Sequence, residues 1–182
     1  MARIIGISGF AGSGKDTAGL ALAELGWERR SFADPLRESC SIVTGLPIDV
    51  FNDPELKNIP RDDLYGKTPR QILQTIGTEG WRYLIHPDVW VDNFIRYANT
   101  SNAKGVYSCD LRFINEAKAI IEADGVIIHI DRPGKDKPEF LHQSETEVPT
   151  VREMATIIIN NFSTQESLQK KIKNFIKDYY AS

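Results

Sequence analysis

Apolar and polar positions follow two rhythms along this chain, and the switches between them predict its elements. Ile4-Ile5-Gly6-Ile7 is a short apolar run of strand type, after which Ala18, Leu22 and Leu25 recur on one side at helical spacing. Gly26 stops that helix. Residues 29–33 read as a second strand running into Asp34-Pro35, a capping carboxylate and a first-turn proline that open a helix ending near Gly45. Pro47, Pro54, Pro60 and several aspartates make 46–66 an irregular connection. Thr68 and Gln71 stand at capping-box spacing around Pro69 and start another helix. A further helix is expected around 89–98. Residues 106–109 form a third strand ending in Asp110, and a helix over 114–124 is closed by Gly125. The dense β-branched run 126–130 is an interior strand. Residues 131–149 hold Pro133, Pro138 and Pro149 among mixed charges and read as an excursion. Residues 156–159 are a fifth strand, and Leu168, Ile172, Phe175, Ile176 and Tyr179 stripe the last helix.

Strands alternating with helices predict an α/β fold, a five-stranded parallel sheet between two helical layers joined by right-handed crossovers. Ligands of such folds sit beyond the carboxyl ends of the strands. Four features fall at that edge: Asp34, Asp110, Asp131 and the segment Gly9-Phe10-Ala11-Gly12-Ser13-Gly14-Lys15-Asp16-Thr17. That segment joins the first strand to the first helix, the context of a phosphate-binding loop (P-loop). Its glycines let backbone N–H groups point inward around phosphate oxygens, and the following helix adds the positive end of its dipole. Lys15 supplies a point charge for the β- and γ-phosphates. Asp16 occupies the place where Ser or Thr usually holds magnesium, and Thr17 comes one residue later.

Composition narrows the classes. At 182 residues one domain over 1–182 is expected, and the 41% hydrophobic and 26% charged fractions are ordinary for a globular protein. A net charge of −3 argues against a broad nucleic-acid-binding surface, so phosphate binding must be local. Cys40 and Cys109 form no metal-like pair, which fits a reduced, cytoplasmic protein. No signal peptide, membrane-length run or internal repeat is read.

On the helix starting at Pro69, at about 100° per residue, Ile72, Leu73 and Ile76 share one side. Arg70, Gln74, Gly77, Thr78 and Trp81 share another, a stripe suited to a nucleotide or equally to solvent, with mid-helix Gly77 asking for a reason. Asp110, Arg112 and Glu116 follow the third strand. Asp110 is placed to help hold magnesium, Arg112 to reach a phosphoryl group, and Glu116 to orient Arg112 or meet substrate; helix capping and a surface pair are the alternative. Asp34 both caps its helix and faces the cleft. Trp81 and Trp90 fill core unless they stack on a base, and His129 is structural. Arg132, Lys135, Lys137 and His142 would close over phosphates as a lid, or form a solvated loop.

Taken together, GFAGSGKDT (9–17), SFADPLRE (31–38), TPRQILQTIGTEGWR (68–82), HPDVW (86–90), DLRFINEA (110–117), RPG (132–134) and HQSE (142–145) resemble the deoxynucleoside monophosphate kinases of tailed bacteriophages. The resemblance covers almost the whole chain. It implies a P-loop kinase-like three-layer fold with a small lid at about 131–149 and an acceptor-binding helical region at about 35–98. It implies transfer of the ATP γ-phosphoryl group to a deoxynucleoside 5′-monophosphate, with Mg2+, in the cytoplasm of a host cell. By position, Gly12, Ser13, Gly14, Lys15, Asp16 and Thr17 would serve ATP. Asp34, Arg70, Gln74, Gly77, Thr78, Trp90, Asp110, Arg112 and Glu116 would bind substrate. Lys15, Arg112, Asp110 and Arg132 would be catalytic, and Asp16, Thr17 and Asp110 would assist the metal. Gln71 stands where relatives carry a basic residue. Kinases of another phosphorylated metabolite, such as phosphomevalonate or dephospho-coenzyme A, are the alternative on the same fold. A nucleotide switch is a second one: Asp131-Arg132-Pro133-Gly134 fits DxxG, but no guanine-reading Asn-Lys-x-Asp follows. Oligomeric state stays open, a homodimer included, and Asn160 and Asn161 are adenine candidates by location alone.

Overall fold

Five strands pair in parallel into one sheet, in the order β2-β3-β1-β4-β5, in the computed structural model of the chain, which describes residues 2–134 and 146–181. In chain order the elements begin with β1 (Arg3–Ser8), α1 (Lys15–Glu24), β2 (Glu28–Arg29), α2 (Asp34–Thr44), α3 (Asp49–Asn52) and α4 (Pro69–Gln74). A π-helical segment (Thr75–Ile85), α5 (Val89–Thr100), β3 (Gly105–Leu111), α6 (Ile114–Glu122) and β4 (Val126–Asp131) follow. The described chain closes with α7 (Val148–Glu153), β5 (Ile157–Asn160) and α8 (Gln165–Ala181). Two compact units emerge: Met1–Ser31 with Phe94–Ser182, and Phe32–Asn93.

The first unit carries the sheet. β1 lies at its centre, with Ile5 in register with Tyr107 of β3 and with Val126 of β4. Ile5, Ile7, Val126 and Ile128 are wholly buried, as expected of parallel strands covered on both faces. α1 packs against α8, whose Leu168, Ile172 and Ile176 enter the core, while Phe175 is only partly buried and Tyr179 is exposed. Register therefore brings the chain beyond Ser8, the end of β3, and residues 131 and 161 to one edge of the sheet.

Several boundaries differ from the sequence reading, each for a physical reason. The second strand is Glu28–Arg29 rather than 29–33, ending before Ser31. Asp34 does not cap its helix: Ala33 is the N-cap, and the Asp34 carboxylate pairs with Arg37 at 2.7 Å one turn on. Gly125 does not close α6; Asp124 takes the left-handed turn (φ 58), and Gly125 fits where a Cβ would press on Ile120 and the Ile4 carbonyl. Pro149 sits in the first turn of α7, a helix the sequence reading missed by counting this proline as part of the 131–149 excursion. Lys135, Lys137, His142 and the HQSE stretch lie outside the described residues.

The second unit is helical. Gly45 (φ 71) ends α2 as read, and 46–66 folds into α3 and two 3-10 turns, Leu56–Asn58 and Asp62–Leu64. The capping box forms: Thr68 Oγ1 accepts from Gln71 N–H at 3.1 Å, and Gln71 Oε1 accepts from Thr68 N–H at 2.8 Å. α-Helical geometry then stops at Gln74. From Thr75 the turns widen to the i→i+5 pattern, seen where His86 N–H donates to Trp81 O at 3.0 Å. The face deduced at about 100° per residue therefore does not continue past Gln74.

Candidate active site

At the carboxyl end of β1 the chain turns through the glycine loop and enters α1. Gly14 is the N-cap of α1 in a left-handed conformation (φ 107), which a side chain rarely adopts. Lys15 curls back over the loop, its Nζ donating to Gly9 O at 2.6 Å and Phe10 O at 2.8 Å. Ser13 is buried, and its Oγ has no hydrogen-bond partner among the described residues. Arg132, just beyond β4, donates from Nη1 to Gly12 O at 3.2 Å, so this arginine reaches the loop from 120 residues away.

β3 supplies the next groups. Asp110 is the penultimate residue of that strand and accepts from the Ser108 hydroxyl at 2.5 Å. Glu116 is 2% exposed, and its Oε2 accepts from the N–H groups of Arg112 (3.0 Å) and Phe113 (3.1 Å). Its carboxylate thus satisfies the amino end of α6, the capping role weighed above, and fixes the backbone that carries Arg112. Glu147 Oε2 accepts from Ile114 N–H at 2.7 Å and completes that end. Cys109, one residue earlier on β3, packs toward Gly19 of α1; burial pushes its thiol up to about 12, and the Asp16 carboxylate adds to the shift.

Asp131 ends β4 in a pair with Arg152 of α7, at 2.8 Å, and 3.1 Å from His129 Nε2. Arg152 holds the Asp131 carboxyl below the usual carboxylate range, helped by His129. Asp131 is committed to this pair, and His129 is wholly buried, in keeping with a structural role.

Two residues have roles that the sequence reading did not give them. Asn161, just past β5, donates from Nδ2 to Ser13 O at 2.8 Å, and its own N–H donates to Asp131 O at 2.7 Å. Its side-chain amide braces the glycine loop. Arg82, given no role of its own from sequence, is 8% exposed and donates to Pro87 O at 3.2 Å.

The second unit holds the acceptor candidates. Arg70, exposed on α4, donates from Nε to Asn58 Oδ1 at 2.7 Å, while Asn58 Nδ2 donates to Pro54 O at 2.7 Å. The guanidinium is thereby aimed by an amide whose own direction is set. Gln74 and Thr78 are half-buried. Gly77 is buried, and a Cβ there would lie 2.4 Å from Leu36 Cδ2, which is the reason for its glycine. Trp90 is buried, donates its indole N–H to Gly77 O at 3.0 Å, and packs at 5.8 Å between centroids on the more exposed Trp81.

The donors fit a hard divalent cation carried with phosphate. Thr17, Asp16 and Asp110 offer oxygen ligands, and no cluster of three or more His, Cys, Asp or Glu among the described residues could hold a metal ion by itself. Phosphate oxygens and water would complete such a shell, the usual habit of magnesium.

No family model matches the chain. Over 176 aligned residues it is 35% identical to a protein of Acanthamoeba polyphaga mimivirus that bears the provisional name deoxynucleotide monophosphate kinase, covering 90% of this chain and 91% of that one. It is 22% identical over 244 aligned positions to the deoxynucleoside-5′-monophosphate kinase of Escherichia phage T5, covering 96% of each. Among solved structures, dephospho-CoA kinase from Campylobacter jejuni superimposes with a TM-score of 0.54, 19% identity and 98% of each chain covered. Shikimate kinase from Aquifex aeolicus does so with a TM-score of 0.55 and 16% identity, again over 98% of each. These two likenesses show the fold alone, that of P-loop kinases. With the mimivirus relative matched along nearly its whole length, the chain belongs to the deoxynucleotide monophosphate kinase family.

Proposed function

We propose that this protein transfers the γ-phosphoryl group of ATP to a deoxynucleoside 5′-monophosphate, giving the diphosphate and ADP, in the cytoplasm of a host cell. The observation that carries the reading is the glycine loop at the end of β1, with Lys15 Nζ folded onto Gly9 O and Phe10 O. A phosphate seated in the loop offers that ammonium an anionic acceptor in place of two neutral carbonyls, a charge-assisted exchange. Loop N–H groups and the amino end of α1 supply further donors.

An oxygen of the acceptor phosphate attacks the γ-phosphorus, the bond to the β,γ-bridging oxygen breaks, and ADP leaves with the electron pair. The attacking oxygen is already anionic, so no general base is required. Catalysis then rests on alignment and charge neutralisation. Lys15 and Arg132 serve the donor phosphates from the loop side, and Arg112 serves the transferring group from the end of β3. Arg70, aimed by Asn58, binds the acceptor phosphate, and Gln74 and Thr78 offer polar groups to sugar or base. Asp34 completes the acceptor set. Trp90 and Gly77 shape the pocket wall, and Glu116 acts through the backbone of Arg112. Magnesium bound with ATP, held by Thr17, Asp16 and Asp110, would neutralise charge on the phosphates.

The test is ADP release with ATP and magnesium across dAMP, dCMP, dGMP, dTMP, their ribose counterparts and dephospho-coenzyme A. Release that depends on one or more deoxynucleotides is expected. Release with dephospho-coenzyme A alone, or without any acceptor, would overturn the reading.

A further inference from the structure

At Ser13 O the glycine loop is grasped by a buried side chain from the far end of the fold. Asn161 stands 148 residues away in sequence and donates to it at 2.8 Å, with only 9% of its surface exposed. The acceptor is a carbonyl, so the atom facing it must be the amide nitrogen. Asn161 is itself pinned, because its backbone N–H donates to Asp131 O at 2.7 Å. Gly14 is packed against the same amide: a Cβ there would sit 2.6 Å from Asn161 Nδ2. Only a residue without a side chain lets Asn161 come this close.

Fixing Ser13 O has a consequence for the next atom along. No peptide bond among the described residues is cis, so the C=O and N–H of the planar Ser13–Gly14 unit point in opposite directions. Holding the carbonyl toward Asn161 turns Gly14 N–H away from it. From this we infer that Asn161 is a positioning residue for ATP: its carboxamide sets the Gly14 N–H as a preformed phosphate donor, and it does not read adenine. The inference rests on the kinase reading above. The mechanism is preorganisation, in which a donor aimed before binding costs no reorientation when the anion arrives.

The experiment compares Asn161→Asp and Asn161→Ala with the unaltered protein, measuring Kd for ATP and separately for dTMP by calorimetry, with melting curves alongside. Asn161→Asp keeps the shape but places an acceptor against an acceptor, so it should weaken ATP at least tenfold and more than Asn161→Ala does. Affinity for dTMP should stay within twofold in both. ATP affinity unchanged in Asn161→Asp, or equal losses for ATP and dTMP, overturns the inference while leaving the kinase reading intact. ATP that fails to bind the unaltered protein overturns both. A wild-type measurement covers variants that do not fold: the Asn161 side-chain amide resonances should move on titration with ADP and magnesium and stay still with dTMP alone. Resonances indifferent to ADP overturn the inference.

Discussion

Trp90 donates its indole N–H to the carbonyl of Gly77 at 3.0 Å, and Gly77 meets Leu36 where a Cβ would come within 2.4 Å of a methyl carbon. The glycine is thus clamped between a hydrogen bond and a close packing contact. Gly77→Ala should destabilise by about 1–3 kcal/mol, the usual cost of overpacking. Leu36→Ala in the same chain should recover part of that loss, read as a coupling energy in a double-mutant cycle of urea unfolding. Independent, additive effects would show that the two residues do not press on one another. Trp90→Phe, which strands a buried carbonyl, should cost about 1–3 kcal/mol.

Lys15→Ala removes the point charge that the loop positions for phosphates. Turnover should fall by at least about a hundredfold, the scale of losing one preorganised charge-stabilising donor. The unfolding midpoint should change little, since its bonds to Gly9 O and Phe10 O stay within the loop. A variant that turns over at the normal rate removes Lys15 from the mechanism.

Arg70→Ala should raise KM for the deoxynucleotide by about tenfold or more, the worth of a hydrogen bond to a charged group, and leave KM for ATP nearly unchanged. Asn58→Leu should act in the same direction and less strongly, because it removes one acceptor that aims the guanidinium and leaves the charge in place. Equal effects on both KM values would mean that Arg70 does not bind the acceptor phosphate.

Burial pushes the His129 imidazole below its usual range, with Asp131 opposing and Arg152 and Lys15 contributing. The folded protein therefore keeps the ring neutral where the unfolded chain already takes a proton, from about pH 6.5 downward. Stability from this group is fully present above that pH and is lost as pH falls through the window below it. Asp131 behaves differently: Arg152 depresses its carboxyl, so its contribution persists until pH drops below about 4. Melting temperature should decline between pH 7 and 5, and His129→Gln should flatten that limb while leaving the acid limb. An unchanged slope in the variant would assign the decline to another group.

The sheet and its loop were legible because their signals are local: β-branched runs for the strands, and glycines with Lys15 between the first strand and helix. The helix starting at Pro69 was legible only to Gln74. A periodicity of 3.6 cannot register a wider turn, so the burial of Arg82 was invisible. Asn161 was seen only as a residue near the right edge, because its partner Ser13 lies 148 positions earlier and no spacing rule joins them. Glu116 shows a third limit, since a carboxylate four residues after Arg112 fits catalysis and capping equally well in sequence. Only its burial and its two backbone donors give it the capping role.

Gly77 and Arg82, the two buried positions of the π-helical stretch, stand five residues apart. At about 100° per residue they would diverge by about 140°, so an α-helix cannot tuck both inward. Tightening this stretch to the ordinary helical pitch at its present length would swing either the glycine clamp or the arginine out into water. The wide turn is therefore what lets one helical stretch bury two positions five residues apart, and exchanges across 75–85 that favour the tighter pitch should be absorbed poorly.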